Sequence, residues 1–141
     1  MEKRKVVLIS CVSKKLNLKS IAKELYVSPL FKYNLTYAYS LNPDKIFILS
    51  AKYGLVSLDE EIEPYNKTLN KMNKEERKEW ANKVLSQLKE KVDLDNDEII
   101  FLAGKKYREY LIKGIKNYKI PLKGLSIGKQ LKFLKEKTKN E

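Results

Sequence analysis

Val6-Val7-Leu8-Ile9 is an unbroken apolar run, three of its four residues β-branched, and it is followed by Ser10. Two more runs of the same kind occur downstream. Ile46-Phe47-Ile48-Leu49 leads into Ser50-Ala51-Lys52-Tyr53-Gly54, and Ile99-Ile100-Phe101-Leu102 leads into Ala103-Gly104-Lys105-Lys106-Tyr107. Runs without polar alternation fit strands buried on both faces, as in a parallel sheet covered by helices. Helical patterns separate them. Ser28-Pro29 reads as an N-cap with proline in the first turn, opening a helix that Asn42-Pro43 stops. Asn73 with Glu76 forms a capping-box pattern before a stripe of Ala81, Val84, Leu85, Leu88 and Val92, with Trp80 at its edge. A third helix is predicted after Gly104 and a fourth from Ser126, the latter with Ile127, Leu131 and Leu134 aligned.

The expected fold is therefore α/β: a three-layer sandwich with a small, mostly parallel sheet of three to four strands flanked by helices. At 141 residues the chain reads as a single α/β domain over 1–141. Leu55 to Thr68 reads as the one long irregular stretch, and loops of this length are often functional. No apolar run approaches the roughly 18 residues of a membrane span, and no signal peptide is read at the N-terminus. One cysteine, Cys11, rules out an internal disulfide and suits a reducing compartment, so the expected location is cytoplasmic.

Composition narrows the chemistry. With no histidine and one cysteine, Ser-His and Cys-His nucleophile systems, His-bound zinc and CxxC motifs are excluded. No metal and no cofactor is expected: neither G-x-x-x-x-G-K-[ST] nor G-x-G-x-x-G occurs. The net charge is +12, with excesses at both ends of the chain and an acidic middle. Such polarity favours polyanions, so the expected partner is nucleic acid or a nucleotide. Lysine supplies 27 of the 30 basic residues, a bias that an AT-rich genome also produces.

In open parallel sheets ligands bind at the carboxyl ends of the strands. All three such ends here combine small residues with lysine. The candidate ligand-binding residues are Ser10, Cys11, Lys14, Lys15, Ser50, Lys52, Tyr53, Gly54, Tyr65, Asn66, Gly104, Lys105 and Tyr107. Small residues let backbone N–H groups approach a ligand, and lysines with a helix N-terminus favour phosphate. Glu63, in the acidic group Asp59-Glu60-Glu61-Ile62-Glu63 beside Pro64, is the candidate catalytic carboxylate.

The motifs resemble those of a family of small bacterial and phage proteins. Its pattern is S-C-x-x-K-K, L-Y-x-S-P-L-F, L-S-A-K-[YH]-G-L, I-x-P-Y-x-x-T-L, G-x-x-Y and G-x-x-I-G-x-Q-L. This chain has these as Ser10 to Lys15, Leu25 to Phe31, Leu49 to Leu55, Ile62 to Leu69, Gly104 to Tyr107 and Gly124 to Leu131. The group is distantly similar to the peroxide-stress YaaA proteins and to the glycosylase-like domain of archaeosine synthase. That resemblance implies a nucleic-acid or nucleobase context and, with it, cleavage or exchange of an N-glycosidic bond as a possible reaction. The family often has aspartate where this chain has Asn66, which would remove a carboxylate there. The alternatives are a non-catalytic basic DNA- or RNA-binding protein, or a protein of phage–host conflict that sequesters a small nucleotide.

Overall fold

The three apolar runs lie side by side as parallel strands, with Val7 opposite Ile46 on one flank and Ile100 on the other. The computed structural model describes residues 3–10 and 15–139. In chain order the elements are strands β1 (Lys5–Ser10) and β2 (Ser20–Ile21), then helices α1 (Ala22–Leu25) and α2 (Pro29–Ser40). Strands β3 (Lys45–Ser50), β4 (Gly54–Ser57) and β5 (Glu61–Ile62) follow, then helix α3 (Lys74–Lys89) and strand β6 (Glu98–Leu102). Helix α4 (Lys105–Arg108), strand β7 (Tyr118–Lys119) and helix α5 (Ile127–Lys137) complete the chain, with 3₁₀ turns at Leu69–Lys71 and Ile112–Gly114.

The main sheet has five strands in the order β4-β3-β1-β6-β7, not the three to four expected. The two additions are edge strands. β4 pairs antiparallel with β3 through a tight turn, and the two-residue β7 pairs parallel with β6. Both escaped the sequence reading because they are short, and β7 is exposed. Leu55 to Thr68 is accordingly not one irregular stretch: it holds most of β4 and all of β5, which pairs antiparallel with β2.

Side chains alternate across β1. Val6 and Leu8 pack with α3 residues Trp80, Ala81, Val84 and Leu88, while Val7 and Ile9 pack with Phe31 and Ala38 of α2 and Leu134 of α5. The result is three layers, helix on sheet on helix. Each fully buried aliphatic side chain of this kind contributes about 1.5–3 kcal/mol.

Capping sets the helix boundaries. Ser28 Oγ accepts from Phe31 N–H at 3.2 Å to open α2, with Pro29 in the first turn. The chain leaves that helix through Asn42, at φ 52°, just before Pro43. Asn73 and Glu76 exchange both bonds of the capping box at the start of α3. At the amino edge of the sheet, buried Asp97 accepts from the Arg4 backbone (3.2 Å), the Arg4 guanidinium (3.0 Å) and the Asp93 backbone (2.9 Å).

Two helical expectations change. After Gly104 the helix is a single turn followed by the 3₁₀ turn, because β7 draws the chain back to the sheet. In α5 only Leu134 of the aligned stripe is buried, and Ile127 is 66% exposed. Among the described residues no helix is long and apolar enough to cross a membrane.

Candidate functional site

Parallel strands β3, β1, β6 and β7 run outward from β1 in two directions, so the strand order reverses between β1 and β6. The connection leading to β3 carries α2 on one face; the connection leading to β6 carries α3 on the other. A crevice opens where such connections diverge, at the carboxyl ends of the strands. Here it is a cavity of about 290 Å³. That is close to the lower end of the ~300–1,000 Å³ typical of small-molecule sites.

Five segments build its wall. Ser10 ends β1, and its hydroxyl accepts the Gly104 N–H at 3.2 Å, tying the carboxyl ends of β1 and β6 together. Gly104, Lys105, Lys106 and Tyr107 follow β6 into α4. The first turns of α2 (Leu30, Phe31) and α5 (Ile127, Gln130) close the cavity from the opposite face, with the α2 cap Ser28 and with Asn34 from the second turn of α2. Asn70, from the 3₁₀ turn, completes the lining. Pro29 has no N–H, and Ser28 Oγ and Ser126 Oγ take those of Phe31 and Lys129, so what the two longer helices present to an anion is chiefly the partial positive charge of their N-terminal ends. Lys105 and Lys106 are exposed at the rim and add full charges. Arg108 donates to the Ala103 carbonyl at 2.8 Å; burial pulls its pKa down, against the raising influence of Glu109. The inner wall is aromatic and polar: Phe31 and Tyr107 are both buried, and Tyr107 stacks edge-on against Trp80 at 5.6 Å. Among the described residues that line the cavity there is no Asp or Glu.

Of the residues proposed from sequence, Ser10, Gly104, Lys105 and Tyr107 meet here. Cys11 and Lys14 lie outside the described residues. The other candidates sit elsewhere. Ser50 is fully buried, its hydroxyl accepting from Tyr53 N–H (2.9 Å) and its carbonyl from the Trp80 indole (2.9 Å). Gly54 makes the β3–β4 turn at φ 80°, where an added Cβ would collide with the Gln87 carboxamide. Lys52 borders a separate depression that it shares with Lys67, Lys83, Glu76 and Glu79. Three lysines and two carboxylates give that depression a mixed charge.

Lys15, Tyr53 and Tyr65 form a third group. Lys15 Nζ stands 4.5 Å from the centre of the Tyr65 ring, Tyr53 meets Tyr65 edge-on at 5.8 Å, and the Tyr65 and Tyr26 hydroxyls are 2.6 Å apart. Glu63 is exposed, and its backbone carbonyl accepts from the Tyr53 hydroxyl at 3.4 Å. Asn66 is exposed as well. Among the described residues, the candidates expected to share one pocket thus fall at separate places: the β1–β6 cavity, the depression at Lys52, and the group of Lys15, Tyr53 and Tyr65.

Sequence reasoning missed Asn34, Phe31, Ser28, Asn70, Lys106, Ile127 and Gln130 as lining residues. A signal existed for Asn34, an amide on the face of α2 that also carries Phe31 and Ala38, both buried. Others stand in the S-P-L-F and I-G-x-Q-L elements, which were legible as motifs without a role.

The fold and cavity define an α/β protein with a ligand-sized site at the switch point of a mostly parallel sheet. The chain belongs to a family of unknown function (DUF6884), which matches residues 6–136. No curated protein matches it. Among the described residues no group of three or more His, Cys, Asp or Glu could hold a metal ion.

Proposed function

We propose that the chain binds a nucleotide in the β1–β6 cavity, with the phosphate at Lys105 and Lys106 and the base turned inward toward Phe31 and Tyr107. The observation that carries this reading is the lining itself: two rim lysines, the first turns of α2 and α5, buried aromatic rings and, among the described residues, no carboxylate. Charge-assisted contacts to phosphate contribute about 1.5–3 kcal/mol each, and a helix end adds about 0.3–1 kcal/mol. A distant kinship with YaaA proteins and the archaeosine synthase domain, which we propose from the motifs alone, would place the ligand in the same class. Binding is favoured over N-glycosidic turnover, because that chemistry relies on a carboxylate and Glu63 stands outside the cavity. Calorimetric titration with nucleoside 5′-monophosphates tests the proposal: saturable one-to-one binding supports it, and no heat at millimolar ligand refutes it.

A second reading, a nucleic acid rather than a free nucleotide, draws on α5. Its exposed Lys129, Lys132 and Lys135 recur at helical spacing, starting beside the cavity mouth at Ile127. A strand whose terminal nucleotide enters the cavity would lay its backbone along that face. Binding of this kind falls steeply with salt: about six neutralised phosphates correspond to roughly a thousandfold loss between 50 and 200 mM. Fluorescence anisotropy with a labelled single strand at the two salt concentrations separates the readings, since a free mononucleotide shows a far shallower dependence.

A further inference from the structure

Asn34 Oδ1 is the one buried side-chain nitrogen or oxygen among the described residues with no hydrogen-bond partner. The residue is 3% exposed and lines the cavity. Buried polar atoms are almost always paired, and one left unpaired inside a folded protein calls for a cause. Its setting sharpens the anomaly. Asn34 stands on α2 between Phe31 and Ala38, both buried, where an aliphatic side chain would pack without the desolvation penalty and with better helix propensity. An asparagine here weakens the ligand-free protein; Oδ1 is itself shut off from the cavity that the residue lines, so a turn of the carboxamide is what brings it to a partner there.

We infer that Asn34 is the residue that reads the ligand's base. This rests on the nucleotide reading above and deepens it by naming what the inner end of the cavity recognises. A carboxamide presents an acceptor and a donor side by side, which matches a nucleobase edge offering an N–H next to a lone pair. The rim supplies the opposite chemistry. Lys105 and Lys106 donate only, and the Ser10 oxygen already accepts from Gly104 N–H, which leaves its hydroxyl proton to give. An anion therefore belongs at the mouth, and a group that can donate to Oδ1 belongs at the inner end. Phe31, one turn before Asn34 and 1% exposed, supplies an apolar wall for a planar ring.

The test uses the wild-type protein labelled with nitrogen-15 and titrated with AMP, GMP, CMP, UMP and ribose 5-phosphate, the last carrying phosphate without a base. At least one mononucleotide is expected to bind ten times or more tightly than ribose 5-phosphate and to shift the Asn34 side-chain amide resonance. Ribose 5-phosphate is expected to leave that resonance in place. In Asn34→Leu, affinity for the preferred mononucleotide should fall to the ribose 5-phosphate level, affinity for ribose 5-phosphate should be unchanged, and the ligand-free protein should melt a few degrees higher. An Asn34 resonance that stays still while a mononucleotide binds would overturn the inference and leave the nucleotide reading standing. So would equal affinity for ribose 5-phosphate and all four mononucleotides. Failure of every one of the five to bind would overturn both. Should the Leu variant not fold, the wild-type resonance decides alone.

Discussion

The Gly104 backbone N–H donates to Ser10 Oγ at 3.2 Å, so residues 94 positions apart in the chain meet in the wall of one cavity. This bond joins the carboxyl ends of β1 and β6 at the place where the strand order reverses. It brings Ser10 together with the lysine-bearing loop after β6; of the other lysines foreseen from sequence, Lys15 stands over the Tyr65 ring and Lys52 borders a separate depression.

That division makes a paired prediction. Lys105→Ala should weaken mononucleotide binding by about 1.5–3 kcal/mol, the loss of one charge-assisted contact to phosphate. Lys52→Ala should leave binding unchanged, because Lys52 faces a depression it shares with Glu76 and Glu79. Calorimetry on both variants, with melting curves to show that each is folded, provides the comparison. Equal losses in the two would restore a site spanning the whole edge.

Gly54 should be sensitive for reasons of fold alone. Its φ of 80° strains any L side chain, and a Cβ would strike Gln87, whose carboxamide accepts from Leu55 N–H at 2.9 Å. Gly54→Ala is expected to cost about 1–3 kcal/mol in urea unfolding. A neutral result would mean that the β3–β4 turn adapts, and that the hairpin is not fixed as described.

At the opposite edge, Asp97 governs acid stability. Burial raises its pKa, but hydrogen bonds from Asp93 N–H and from the Arg4 side chain and backbone outweigh this and hold the carboxyl below its ordinary range. A depressed folded pKa stabilises the protein above the unfolded value, near 3.9, and that contribution is lost as pH falls through the folded value. Asp97→Asn should therefore be about 1–3 kcal/mol less stable at pH 7, with the gap to wild type narrowing below pH 4. Urea curves at pH 7, 4 and 2.5 check the sign. A gap that widens in acid would contradict it.

The sheet was legible because Val6 to Ile9, Ile46 to Leu49 and Ile99 to Leu102 carry their burial in composition alone. Ser28-Pro29 and Asn73 with Glu76 announced their helices for an equally local reason: a cap is satisfied within one turn. β4 and β7 were hidden, since pairing with a neighbouring strand, rather than any pattern of their own, makes them strands. The site was half legible. Ser10, Gly104, Lys105 and Tyr107 follow from the rule that ligands sit at strand ends. Which strand ends share a cavity depends on which pair straddles the reversal of strand order, and that is a property of topology. Asn34 lay on a helix face whose stripe reads as core, and its missing partner exists only as a three-dimensional fact.

The central claim, a nucleotide site between β1 and β6, is tested most directly by backbone amide shifts during titration with the tightest-binding mononucleotide. The account predicts that the largest shifts fall on Ser10, Gly104, Lys105 and Tyr107 and on the first turns of α2 and α5. Lys52, Gly54 and Glu63 should stay within noise. Shifts centred on Lys52, Tyr53 and Tyr65, or no shifts at saturating ligand, would contradict it.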